Sequence, residues 1–223
     1  MFVRAKLLTE FAGTFVFLSV IALSGSAGAL APLAIGLALT AMVYMGGHVS
    51  GAHYNPAVSF GLFLRRAMSA TTMLAYWATQ LVAGVLAFTI AFLLTGKHAA
   101  IHPGQGITFW SAVGAEVVFT TALVLVVLNV AATKETAGNS YYGIAIGFVV
   151  AAGAFAVGPI SGAAFNPAVG LSATFSGAVF GHDSWLDLPI YLVGPLAGAA
   201  IGALIHRLQE RPGPIPPEIS ERT

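Results

Sequence analysis

Residues 50–60 read SGAHYNPAVSF, and residues 161–171 read SGAAFNPAVGL; seven of the eleven positions are identical. In each copy an asparagine, a preferred helix N-cap, precedes a proline, which fits the first helical position because its missing N–H would have no partner there anyway. The apolar run that follows is short. It extends from Pro56 to the Arg65–Arg66 pair in the first copy and from Pro167 to Gly177 in the second. Each run makes a helix of about 15 Å, half the thickness of a bilayer's hydrocarbon core. The small residues Gly51, Ala52, Gly162, Ala163 and Ala164 let the incoming chain pack closely. Inside a membrane, a segment of this length must enter and return, and its irregular backbone must be buried in protein or face a watery path.

The composition calls for that membrane. The chain has 223 residues, of which 57% are hydrophobic and 8% charged, with a mean hydropathy of +0.88. Soluble domains carry about 25% charge, so a soluble chain of this composition would expose large apolar patches. Apolar stretches lie near 7–24, 29–47, 70–95, 110–132, 141–159 and 188–206, each long enough, or nearly so, to cross as a helix. Glu10 lies inside the first, where the apolar region of a cleaved signal would avoid it. With six spans both termini share a side, together with Arg4, Lys6, Arg65, Arg66, Lys134, Arg207, Arg211 and Arg222; Lys97 alone lies opposite. That excess places both termini in the cytoplasm. The proline-rich tail 209–223 reads as disordered. A net charge of +1 gives nucleic acid no purchase, and the absence of cysteine excludes disulfides and thiolate chemistry.

The duplication extends beyond the two quoted stretches. TEFAGTF around Glu10 matches GAEVVFTT around Glu116, and the run from Tyr76 matches the run from Tyr191. Each half, about 4–96 and 108–208, therefore holds three spans, with the short segment between its second and third. Three is odd, so the halves face opposite ways: residues 1–208 form one domain built as an inverted repeat. One half-helix enters from each face and their amino ends meet at the midplane. Two such ends carry about half a positive charge each and disfavour a cation. With each asparagine oxygen occupied in capping, its NH₂ is free to donate inward, towards oxygen-bearing solutes. The carbonyls of Gly51, Ala52, His53 and Tyr54, and of Gly162, Ala163, Ala164 and Phe165, offer a ladder of acceptors.

The paired Asn55-Pro56-Ala57 and Asn166-Pro167-Ala168 motifs, six spans and matched Glu10 and Glu116 resemble the aquaporin, or major intrinsic protein, family over about residues 4–208. The resemblance implies an all-α membrane protein with six transmembrane helices and two reentrant half-helices. It also implies a homotetramer with a pore in each subunit, small neutral solutes as cargo and no cofactor. In most of the family an arginine follows the second motif; here the residue is Val169. Carried over by spacing, the other selectivity-filter positions are Ile35, Ala154 and Ala163. Such a filter has no aromatic, histidine or charge. It is expected to be wide and apolar, favouring polyols and neutral metalloid acids over tight water selectivity. The valine resembles a bacterial branch associated with arsenic resistance, which implies passage of arsenite or methylated arsenicals across a bacterial inner membrane.

Other features have competing readings. Glu10 and Glu116 are either supports for the reentrant loops or proton-coupling groups of a secondary transporter. His48 and His53 either orient the first loop or gate the inner mouth. His98, His102 and His182 fall on outer loops without metal-ligand spacing. Ser50 and Ser161 lie near reentrant segments but in no G-x-S-x-G context, so no catalytic residue is expected. Gly194, Gly198 and Gly202 share one helix face, suited to close packing within the subunit.

Overall fold

The computed structural model describes residues 2–181 and 185–210; the expected tail from 211 onward and His182 lie outside the described residues. The helices in chain order are α1 (Phe2–Leu23), α2 (Ala31–Ser50), α3 (Pro56–Leu64), α4 (Ala70–Thr95), α5 (Phe109–Val127), α6 (Tyr142–Ser161), α7 (Pro167–Ser176) and α8 (Leu188–Gln209). Six of these are long, with mean hydropathies of 1.8 to 2.2 in their most apolar windows. At 19 to 26 residues they match about 30 Å of hydrocarbon. The helical stretch Val3–Ser50 is 48 residues long, but Gly28 (φ 55°, ψ −127°) reverses the chain and divides it into two crossings. A π turn, Leu128–Ala132, prolongs α5, and another, Gly177–Gly181, follows α7.

The helix contacts repeat across the two halves. Helix α1 packs against α2 and α4, as α5 packs against α6 and α8. The half-helices exchange partners: α3 lies against α8 and α7 against α4, and α2 meets α6 across the centre. Long apolar side chains face outward, including Leu93, Leu94, Trp110, Val118, Phe148 and Leu208. Small ones face inward, with Ala83, Ala87 and Ala199 fully buried. Hydrocarbon is the surroundings that suit such a surface.

The glycine face of α8 is used within the subunit, as expected. Gly194 packs over the Glu116 side chain, Gly198 over the Val117 carbonyl and Gly202 over Thr121 and Val124. Thr121 Oγ1 reaches the Gly198 carbonyl at 3.1 Å, locking α5 to α8. At the end nearest residue 210, Arg65 pairs with Glu210. Arg65 also donates from Nε to His206 Nδ1 at 3.1 Å, and His206 Nε2 lies 2.8 Å from Thr133 Oγ1. The ends of α3 and α8 are thereby tied to the turn after α5.

A Cβ at Gly198 would lie 2.6 Å from the Val117 carbonyl oxygen and 3.0 Å from the Thr121 nitrogen, backbone atoms that cannot swing aside. Gly198→Val is expected to destabilise the protein by about 1–3 kcal/mol or more. Thermal unfolding in detergent measures this, and an unchanged midpoint would contradict the packing.

Candidate functional site

The two reentrant loops approach the middle of the bundle through strained backbone. Gly51, Ala52 and Tyr54 have φ of 91°, 52° and 49°, and Gly162, Ala163 and Phe165 have 86°, 54° and 49°. Four of these six are not glycine, so the surroundings must hold them there. Glu10 and Glu116 do so. Glu10, 0% exposed, accepts through Oε1 from Ser50 Oγ (2.7 Å) and the His53 N–H (2.9 Å). Through Oε2 it accepts from the Tyr54 N–H (2.8 Å) and Gln80 Nε2 (2.9 Å). Glu116, also 0% exposed, accepts from Ser161 Oγ (2.7 Å) and the N–H groups of Ala164 (3.0 Å) and Phe165 (2.6 Å). Ser50 and Ser161 in turn accept from the N–H of Ala52 and Ala163. Tyr76 and Tyr191 donate to the Ser50 and Ser161 carbonyls at 2.8 and 2.7 Å.

These bonds settle what the side chains can do. Four donors point at Glu10, which fills the acceptor capacity of a carboxylate. Both serine hydroxyls are spent on the loops, so neither is poised as a nucleophile. His53 is buried, with Nδ1 2.9 Å from Ser59 Oγ and its ring edge-on to Tyr76, an orienting role. His48 is exposed and lines the inner vestibule.

At the centre, Asn55 Oδ1 caps α3 by accepting from the Ala57 N–H at 2.8 Å, and Asn166 Oδ1 caps α7 from Ala168 at 2.9 Å. The NH₂ groups are less free than expected. Asn55 Nδ2 donates to the Phe165 carbonyl (2.9 Å) and Asn166 Nδ2 to the Tyr54 carbonyl (3.0 Å). One hydrogen of each amide therefore joins the two halves, and the second remains for a solute. Tyr54 and Phe165 likewise offer one carbonyl lone pair each. The carbonyls of Gly51, Ala52, His53, Gly162, Ala163 and Ala164 accept no hydrogen bond from the described residues.

Three cavities lie in series around this centre. An inner vestibule is bounded by Val43, His48, Gly51 and the turn 136–139. A narrow central cavity, with little more room than a water molecule needs, is lined by Asn55, Asn166, His53 and apolar side chains. An outer vestibule of about 1640 Å³, including its opening, carries Lys97 and His98. Residues along α6 touch them in order of depth: Ile146 borders the inner and central spaces, Val150 the central and outer, and Ala154 the outer. Of the four expected filter positions, Ile35, Ala154 and Ala163 share the outer wall. Val169, 1% exposed, is not on it.

Gln80, Ser59 and Tyr76 hold the first loop without having been expected to. The signal for Tyr76 was present in its match to Tyr191, whereas Gln80 has Pro195 as its counterpart and stands alone.

An all-α chain with two half-helices joined end to end inside six apolar helices, around a chain of cavities, is an integral membrane channel for water or small solutes. It is not an enzyme. The major intrinsic protein family model matches residues 2–206, and the chain belongs to that family. It is 39% identical to aquaporin TIP1-2 of Musa acuminata over 179 residues, covering 79% of this chain and 69% of the relative. It is 34% identical to aquaporin AqpM of Methanothermobacter marburgensis over 183 residues, covering 78% and 74%. The fold matches the aquaglyceroporin from Plasmodium falciparum with a TM-score of 0.80 at 22% identity, covering 92% and 95% of the two chains. A looser match, TM-score 0.59 at 13% identity, is to an FNT family ion channel, covering 94% and 90%.

Replacing each carboxylate by its amide tests the supports. A glutamine oxygen at position 10 can serve Ser50 and His53 but leaves the Tyr54 N–H and Gln80 facing another donor, whereas at position 116 only the Phe165 N–H is stranded. Glu10→Gln is expected to cost about 1–3 kcal/mol more than Glu116→Gln, read from detergent unfolding midpoints. Equal losses would mean that Gln80 adds nothing.

Proposed function

We propose that the protein is a passive channel with a wide apolar outer mouth, passing polyols and neutral metalloid acids such as arsenite or methylated arsenicals, with water passing as well. The supporting observation is that the outer wall carries only aliphatic side chains at the expected filter positions Ile35, Ala154 and Ala163, with Lys97 and His98 elsewhere on the same vestibule. Solutes larger than water fit such a wall because they bring apolar surface with their hydroxyls, while water finds few replacement hydrogen bonds along it. The second N–H of Asn55 and Asn166 and the open loop carbonyls supply those bonds at the centre. The amino ends of α3 and α7 keep cations and protons out there.

The same reading treats residues 1–208 as one domain of inverted repeats. It places both termini in the cytoplasm of a bacterial inner membrane and assembles the subunits as a homotetramer through their apolar outer faces. The rival reading, a proton-coupled transporter using Glu10 and Glu116, is disfavoured by the donors that saturate Glu10.

Stopped-flow light scattering on proteoliposomes tests the proposal with water, glycerol and arsenous acid gradients. The native protein is expected to pass all three. Val169→Arg restores the arginine that most of the family carries after the second motif. Glycerol and arsenous acid permeability should fall on the order of tenfold while water continues. A native protein that passes only water would overturn the solute assignment. An imposed pH gradient should drive no more proton flow than in empty liposomes.

A further inference from the structure

The expected filter positions border the outer vestibule, not the place where two cavities meet. Ile35, Ala154 and Ala163 touch the outer vestibule alone. Phe17, Val150 and Ala164 line both that vestibule and the central cavity, so they stand where the two meet. Leu39 lines the central cavity.

The geometry of the chain explains this set. Val150 is four residues below Ala154 on α6, and Leu39 four below Ile35 on α2. Four residues of helix is about 6 Å, one turn deeper into the membrane. Ala164 is the next loop residue inward from Ala163. On α1, Phe17 lies four residues below Ile21, which borders the outer vestibule alone. Three helices and one loop therefore each place one residue at the same depth. All four are buried, Phe17 to 4%, Leu39 to 5% and Val150 and Ala164 to 7% each, as expected of side chains that crowd a neck. The half-buried Ile35 and Ala163 stand in more open space.

Resting on the channel reading above, we propose that the size cut-off for solutes is set by the ring of Phe17, Leu39, Val150 and Ala164, one helical turn below the expected filter. Phe17 is the dominant member. It is the only aromatic ring of the four and the only one contributed by α1. Its counterpart in the other half is Leu123, seven residues after Glu116 as Phe17 is seven after Glu10. The four side chains are apolar, so they discriminate by width, and the Ala164 carbonyl is the ring's hydrogen-bonding group. It lies just outside the Asn55–Asn166 centre, so a solute has left the outer water before it meets the amides.

The test is the ratio of polyol to water permeability in proteoliposomes, measured with glycerol and the longer erythritol. Phe17→Ala is expected to raise the erythritol-to-water ratio on the order of tenfold, and Val150→Phe to lower it. Ile35→Ala should leave it within about twofold. Because a large-to-small change at a buried site can unfold the protein, Phe17→Leu, which borrows the residue of the other half, is measured alongside and should raise the ratio by a smaller factor. Phe17 variants that fold and leave the ratio unchanged overturn the ring, as does a rise in Ile35→Ala without one in Phe17→Leu. A native protein no more permeable than empty liposomes to any of these solutes overturns the channel itself.

Discussion

A buried carboxylate accepting backbone N–H groups is the interaction from which the remaining architecture follows. Non-helical backbone in a membrane interior must find partners for its amides, because neither lipid nor a regular ladder supplies them. Each reentrant loop points its carbonyls one way and its N–H groups the other. Glu10 and Glu116 collect the N–H groups, which fixes Ala52, Tyr54, Ala163 and Phe165 in left-handed conformations they would otherwise avoid. The cost of burying each carboxyl group is offset by the hydrogen bonds it accepts, four on Glu10 and three on Glu116. Among the described residues neither glutamate has a cationic partner. The positive ends of α3 and α7 share in balancing them.

With the amides taken up on the protein side, the carbonyls are left facing inward and the half-helices are left to meet. Close approach is then a matter of side-chain size. Gly13 and Gly46 make room for the Tyr54 ring, and Gly153 for Phe165. Gly194, Gly198 and Gly202 bring α8 onto α5 where Glu116 must be covered. The helices thus meet closely where these small residues fall, and the hydrogen-bonding groups left at the centre are the two asparagines and the loop carbonyls.

Much of this was legible in the chain, because the duplication acts as an internal control. Features written twice were readable: the Asn-Pro caps, the half-length helices, the paired glutamates and the six spans all appear where the sequence placed them. Features written once were not. Gln80 and Ser59 support the first loop only, opposite Pro195 and Gly170, so nothing in the pattern marked them. The crossed bonds from Asn55 to Phe165 and from Asn166 to Tyr54 pair a side chain with a carbonyl, and every residue has a carbonyl. Depth was likewise hidden: spacing names the helix turn that holds a residue but not the cavity that the turn borders. Ile35, Ala154 and Ala163 consequently share a wall that Val169 does not join.

The crossed amide bonds also bear on how such a chain could arise and change. Through these two bonds each half asks only one thing of the other: a main-chain oxygen at the right place. No particular side chain is demanded of the partner. Two identical copies could meet this requirement, and so can two copies that have drifted far apart after fusion. Once joined, the halves are free to acquire different residues wherever their helices do not pack on one another, and the two mouths of one conduit can be tuned separately by a single gene.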